Sequence, residues 1–226
     1  MNLEVLHRGI QLIEEKALFL QEEKILIVAD LHFGKVNHFR RAGLPVPPAA
    51  NIKNSESLID LINKTSPARI IFLGDLFHSH YNEEWEVVGQ VIANFPACSF
   101  ALVRGNHDIM SHQQYTRKGI EVIDQEQVGP WLLTHEPMEY SEIPKDKVNV
   151  AGHLHPGARL QGKGRQSIIL PCFWLMEQQI ILPAFGSFTG LAAIHSGEND
   201  RVYVILENKI VEVALEPASS RKVAIR

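Results

Sequence analysis

Cysteine is nearly absent from this chain: there are two in 226 residues, Cys98 and Cys172. Two thiols cannot build a disulfide framework. Each sits in an apolar stretch, where a buried, inert thiol is the expected state. A reducing, cytoplasmic setting is the corresponding expectation. Long apolar runs are also missing. None approaches the roughly 18 residues that a membrane-spanning helix needs, so no membrane partner is expected. The opening MNLEVLHRGIQLIEE lacks the continuous apolar block of a secretory signal. Glycine (15) and proline (12) are too few for a collagen-like chain, and no heptads persist. Excess charge of one sign is small, with a formal net charge of -4, which offers no general attraction to nucleic acid. Bound divalent cations could still supply positive charge at one place. What remains is a globular mixture, 45% hydrophobic and 21% charged. It fits one large folded unit over residues 1–216 with a tail at 217–226.

Apolar periodicity divides the chain into two styles. Short strands are expected at Glu4–His7, Gln11–Glu14, Ala17–Leu20 and Lys24–Ala29. A helical stretch near Gly34–Arg41 ends at Gly43 and Pro45. Helices follow over Asn51–Lys64, stopped by Ser66-Pro67, and Asn82–Asn94, closed by Pro96. Between and after them come strands at Arg69–Gly74, Cys98–Arg104, Trp131–Thr134 and Val148–Ala151. The last third is strand-rich, with Ser167–Phe173, Met176–Leu182, Arg201–Leu206 and Lys209–Leu215. Two packed sheets flanked by helices, an α/β or α+β layered architecture, accommodate this order.

The abundant residue with a telling distribution is histidine, of which there are 11. Five times an apolar strand ends and a metal-competent side chain follows at once. ILIVA leads to Asp30 and His32, IIFLG to Asp75, and FALVRG to Asn106, His107 and Asp108. WLLT leads to His135, and VNVAG to His153 and His155. In layered α/β folds the carboxyl ends of strands open onto the ligand crevice, so these side chains could share one cleft. Carboxylates, imidazoles and an amide oxygen, with no thiolate, suit Mn²⁺ first, with Fe and Zn²⁺ also accommodated. The set exceeds what one ion needs, and two metal ions with a shared carboxylate are the economical reading.

Asp30-Leu31-His32, Gly74-Asp75, Gly105-Asn106-His107-Asp108, His135 and Gly152-His153-Leu154-His155 resemble, in order, the five motifs of the calcineurin-like metallophosphoesterases. The resemblance implies a four-layer sandwich: two mixed β-sheets face to face, with helices on the outer faces. It also implies that Asp30, His32 and His155 hold one metal, that Asn106, His135 and His153 hold the other, and that Asp75 bridges. His107 would be the catalytic acid. Two further segments, Phe39-Arg40-Arg41-Ala42-Gly43-Leu44-Pro45-Val46-Pro47 and Pro183-Ala184-Phe185-Gly186-Ser187-Phe188-Thr189-Gly190, resemble the bacterial ligase-associated DNA-damage-response phosphoesterases. That narrower likeness implies a DNA endonuclease linked to repair, with DNA as substrate and DNA ligase and helicase repair proteins as partners. Gly74-Asp75-Leu76-Phe77-His78 also resembles the matching motif of double-strand-break repair nucleases in the superfamily. One departure stands out. Many protein phosphatases carry an Asp three residues after the bridging Asp, where it orients the catalytic histidine, and here that position is His78.

Each residue also has an ordinary reading. His7, His38, His80, His112 and His195 are taken as solvated or simply hydrogen-bonded. Asp30 alone could cap a helix and Asp75 alone could sit in a turn; the ordered set makes them ligands. Gly74, Gly105 and Gly152 could be turn glycines or sharp bends that aim the next side chain. Asp108 either orients His107, which would place it in the catalytic group, or caps the turn. His78 is a candidate for the catalytic group because it follows a ligand by three residues. Arg40 and Arg41 are a solvated helix face or a guanidinium contact to substrate phosphate. Arg159, Lys163 and Arg165 are a hairpin tip or a nucleic-acid path. Phe173-Trp174, Phe185 and Phe188 are assigned to core. A phosphatase or phosphodiesterase for small nucleotides remains the alternative function. An inactive scaffold of the same fold is disfavoured by the complete ligand set.

Overall fold

The computed structural model describes residues 1–35, 49–78, 80–162, 166–187 and 189–215, with the backbone alone at 49–52. Its centre is built on three apolar runs: β4 (Ile25–Ala29), β5 (Arg69–Leu73) and β6 (Ser99–Val103). They pair in parallel, and β7 (Ile120–Ile123) adds beyond β6. On the other side β1 (Asn2–Val5), β2 (Arg8–Ile13) and β3 (Ala17–Leu20) form an antiparallel meander that joins β4. The result is a seven-stranded mixed sheet in simple sequence order.

Continuous apolar runs arise because both faces of these strands are covered. Leu26, Val28, Ile70, Phe72, Phe100 and Leu102 point to a core shared with helices. Their neighbours Ile27, Ala29, Ile71, Leu73, Ala101 and Val103 point to a second core between the sheets. The two-residue period of a strand thus feeds both cores from one run. The helical layer is α1 (Ala49–Thr65), α2 (Glu83–Ala93) and the short α3 (His112–Thr116). Asn82 caps α2, its side chain accepting the Glu84 N–H at 2.9 Å. Trp85 of α2 meets Phe77 and Tyr115 edge-on, at 5.2 and 5.3 Å between ring centres.

The second sheet has nine strands and is also mixed. Its core strands are β9 (Trp131–Leu133), β10 (Val148–Ala151) and β13 (Gln179–Ile181), parallel to one another. β8 (Glu126–Val128) edges β9. β11 (Pro156–Gln161), β12 (Ser167–Leu175) and β14 (Ala192–Ala193) extend the other side. β15 (Arg201–Leu206) and β16 (Lys209–Val213) branch from β12.

The two-sheet sandwich is the architecture that the sequence implied, with one difference. Among the described residues every α-helix packs on the first sheet. The outer face of the second sheet carries instead a small apolar cluster around Cys172, Val202 and Val204. Local boundaries also move. Leu6 and His7, expected at the end of a strand, form the left-handed two-residue turn between β1 and β2, with φ of 48° and 58°. The strand expected from Met176 begins at Gln179, and β12 runs on to Leu175. The expected helix at Gly34–Arg41 lies outside the described residues from 36 onward, as do residue 216 and the expected tail at 217–226. Cys172 is fully buried, and that burial pushes its thiol up to about 12. No helix among the described residues is long and apolar enough to cross a membrane.

Candidate metal centre

Strand register brings the motif residues together. Ala29, Leu73 and Val103 lie side by side at the carboxyl ends of β4, β5 and β6. Asp30, Asp75 and Asn106 therefore emerge from one sheet edge. In the second sheet Leu133 lies beside Val150, so His135 and His153 leave β9 and β10 at one end.

The backbone bends sharply there, at the candidate ligands themselves. Asp30, His32, Asp75, His153 and His155 have φ of 54°, 48°, 51°, 66° and 48°. A left-handed non-glycine residue costs about 1–3 kcal/mol and persists where its surroundings over-determine it. Here the surroundings are main-chain bonds between two loops: Asp30 N–H to Gly74 O (3.3 Å), His32 N–H to Asp75 O (2.8 Å) and Phe33 N–H to Leu76 O (3.0 Å). Of the three motif glycines, Gly74 has a positive φ, 73°. Gly152 is needed for close approach, because a Cβ there would lie 2.6 Å from Asp30 Oδ2.

One oxygen of each carboxylate is tied to the main chain. Asp30 Oδ2 accepts the His153 N–H at 2.8 Å, and Asp75 Oδ1 accepts the His107 N–H at 2.9 Å. Asp30 Oδ1 is wholly buried and takes no hydrogen bond. It lies 3.5 Å from His155 Nε2. His32 Nε2 is 3.4 Å from His155 Nε2 and 3.6 Å from Asp75 Oδ2. On the other side, His135 Nε2 lies 3.6 Å from Asp75 Oδ1 and 3.1 Å from both Asn106 Oδ1 and His153 Nδ1. His135 Nδ1–H donates to Leu73 O at 2.9 Å, so Nε2 presents its lone pair to an amide oxygen that has no proton to give. A buried carboxylate oxygen without a donor, and acceptors facing acceptors, are the signature of sites for cations. The ligand atoms of Asp30, His32 and His155 lie within 4.8 Å of one another, as do those of Asp30, Asp75 and His135. Asp75 faces both groups. These residues fit two hard or borderline cations.

Burial holds His32 down to about 2, with the charges of Lys35, His155, His78 and His107 adding to the effect. Its imidazole is neutral, the form that binds metal. The acceptors behind the imidazoles have no motif of their own. Leu73 O serves His135, and His78 Nδ1 lies 3.2 Å from His32 Nδ1. Such partners fix tautomer and ring direction. The His78 ring also stands 4.0 Å from the His107 ring, between centres. His107 is half-buried.

Asp108 is engaged by backbone groups of two loops. Its carboxylate accepts backbone N–H groups from Asp75 (2.8 Å), Leu76 (3.0 Å), Phe77 (3.3 Å) and Gly105 (2.9 Å), and the Tyr115 hydroxyl at 3.4 Å. The geometry supports the turn-capping alternative, extended to a neighbouring loop, over the catalytic one. Burial pushes this carboxyl up to about 6, which leaves it ionised at neutral pH, and the N–H donors favour that form.

Arg40, Arg41, Lys163, Arg165 and Phe188 lie outside the described residues. Phe173 and Phe185 are core, as expected. Lys35 went unnoticed in the sequence. Burial lowers its pKa while the Asp75 and Asp30 carboxylates raise it, which places this ammonium in the field of both. Its signal was its place, three residues beyond His32.

Residues 23–160 match the calcineurin-like phosphoesterase family. The chain belongs to that family. It is a metal-dependent phosphoester hydrolase, and its family uses a dinuclear divalent metal site. Among solved structures the chain is similar to the Pseudomonas putida nuclease MPE, at 26% identity over 94% of this chain and 99% of that one, with a TM-score of 0.79. It is also similar to Yfce, a phosphoesterase from E. coli (17% identity, 85% of this chain and 99% of that one, TM-score 0.46). An archaeal phosphodiesterase shares 15% identity over 84% of this chain and 99% of that one, with a TM-score of 0.41. A search of curated proteins finds no match.

Proposed function

We propose that the chain is a DNA endonuclease of the repair machinery. In this reading Asp30, His32 and His155 hold one divalent cation, Asn106, His135 and His153 hold the second, and Asp75 serves both. The observation that carries the hydrolytic centre is the convergence of these ligand atoms beside His107. The nucleic-acid assignment is supported by the likeness to a nuclease over nearly the whole length of both chains. The repair setting, with DNA ligase and helicase proteins as partners, rests on the resemblance of the segments around Arg40 and Gly186.

Two divalent cations, Mn²⁺ preferred, would when bound supply Lewis acidity at the phosphoryl group and activate a water as nucleophile near neutral pH. The chain's own side chains do the rest. His107 lends a proton to the departing ester oxygen. Its backbone is pinned to Asp75 Oδ1, and its ring packs on His78, so the acid is placed by the same residues that shape the metal centre. His78 thereby links the first ligand set to His107, the place an Asp takes in many protein phosphatases. Arg40 and Arg41 are assigned to the phosphate backbone of the substrate.

The test is Mn²⁺-dependent turnover of circular single-stranded DNA set beside nucleotide monoesters and cyclic diesters. Cleavage of the circle is expected. Turnover of the small esters with an intact circle would move the assignment to small-molecule substrates. Replacing Arg40 and Arg41 together by Ala should weaken DNA cleavage and flatten its salt dependence by about 0.7 to 0.9 per lost phosphate contact. Hydrolysis of a nitrophenyl diester should remain near wild type.

A further inference from the structure

The Asp30 loop is braced by a distant segment that carries no ligand. After β13 the chain passes under the end of β4, where Phe185 N–H donates to Ala29 O at 2.8 Å and Gly186 N–H to Asp30 O at 3.1 Å. The approach is so close that a Cβ on Gly186 would lie 2.6 Å from Leu31 O. The next residue, Ser187, is anchored to helix α1. Its hydroxyl donates to Asn54 Oδ1 at 2.7 Å and its N–H to the same oxygen at 3.3 Å. Asn54 is 6% exposed, whereas Ser187 is exposed. Thr189 Oγ1 donates to Gly186 O at 3.0 Å, and Lys16 Nζ reaches Phe185 O at 3.5 Å.

We propose that Asn54 and Ser187 form a latch that positions Asp30, and His32 behind it, for the first metal. The left-handed φ of both residues, 54° and 48°, is a conformation the chain leaves unless something holds it. The β5 loop holds it from one side and the Phe185-Gly186 backbone from the other. Asn54 fixes that backbone by its one buried amide oxygen. Both are positioning residues, acting on the cation through the main chain of residues 29–31. The inference rests on Asp30 and His32 being ligands of one cation.

The experiment is a calorimetric Mn²⁺ titration of chelator-stripped protein, with the melting temperature of the metal-free form measured alongside. The variants are Asn54→Ala, Ser187→Ala, Asn54→Asp and, as reference, Asp30→Asn. Asn54→Ala and Ser187→Ala should each weaken one Mn²⁺ step by about 10- to 100-fold, the usual cost of losing support behind a metal ligand. The affected step should be the one that Asp30→Asn removes. The other step and the metal-free melting temperature should hold. Asn54→Asp keeps an oxygen for the Ser187 hydroxyl and should restore the step. Wild-type Mn²⁺ binding in Asn54→Ala and Ser187→Ala, with one step lost in Asp30→Asn, overturns the latch and leaves the ligand assignment standing. Equal weakening of both steps with a lowered melting temperature also overturns it, in favour of a general structural prop. Two intact steps in Asp30→Asn refute the ligand assignment, and the latch with it.

Discussion

Asp30 and His32 are 0% and 5% exposed and His155 is half-buried, whereas on the other side His135 is 5% exposed, His153 half-buried and Asn106 exposed. The proposed first ligand set contains a carboxylate, and its shape is written into left-handed backbone and loop-to-loop main-chain bonds. The proposed second set is made of neutral side chains; His153 is left-handed too, with its N–H on Asp30 Oδ2, and side-chain bonds to Leu73 O and among these residues add to its support. Charge favours tighter cation binding by the first set. The second set is open to solvent at Asn106, while the half-buried His107 stands on the side of the first, its ring centre 5.7 Å from that of His32; an incoming phosphate would be received between the two.

The shared member tests that division most severely. Asp75→Ala removes the carboxylate that faces both sets and the acceptor for the His107 N–H. Turnover should fall below detection and metal content should drop at both sites. Two full equivalents of metal in this variant would show that the sets are independent. His107→Ala is the next largest. It should fold, keep both metals and lose about 10²- to 10⁴-fold in rate on an unactivated diester. The loss should shrink with a nitrophenyl leaving group, which needs no proton. Equal losses on both esters would assign His107 to substrate positioning.

Gly74→Ala strikes the second set first. A Cβ at this left-handed position would land on the His135 imidazole. Displacing the ring breaks its bond to Leu73 O and costs about 1–3 kcal/mol as an overpacked site. The expected outcome is loss of the weaker metal step with the tighter one retained, read by titration. Loss of the tighter step first would reverse the ranking of the two sets.

The strand ends and the candidate ligands that follow them were legible in the sequence, because strands covered on both faces are continuous apolar runs and the side chains that follow them are chemically distinctive. What made those ligands converge was not. Left-handed backbone usually announces itself through glycine, but here it falls on aspartate and histidine. The acceptor behind His135 is a main-chain carbonyl, which no residue type encodes. β11 was missed because PGARLQ opens with a turn-like Pro-Gly pair. The closeness of β12 explains that glycine: a Cβ on Gly157 would meet Ile169 at 2.6 Å. β7, β8 and α3 are too short for periodicity to declare. Asn54 lies within a helix that was recognised from its apolar face, and its role depends on a partner 133 residues away.

The smallest expected effect concerns Asp108, the residue with two competing readings. Asp108→Asn nearly preserves shape and removes one acceptor oxygen. Oδ2 now serves the N–H groups of Asp75 and Gly105, and Oδ1 those of Leu76 and Phe77. An amide can keep one pair and must turn its NH₂ toward the other, so two buried N–H groups lose their acceptor whichever way it sits. Each costs about 1–3 kcal/mol, and the melting temperature should fall accordingly. Because the freed loops carry Asp75 and Asn106, hydrolysis of activated and unactivated esters should decline together, by less than in His107→Ala. A residue that oriented His107 would behave otherwise. Its loss would spare the melting temperature and slow the unactivated ester alone, and that pattern would return Asp108 to the catalytic group and leave the two loops without their strut.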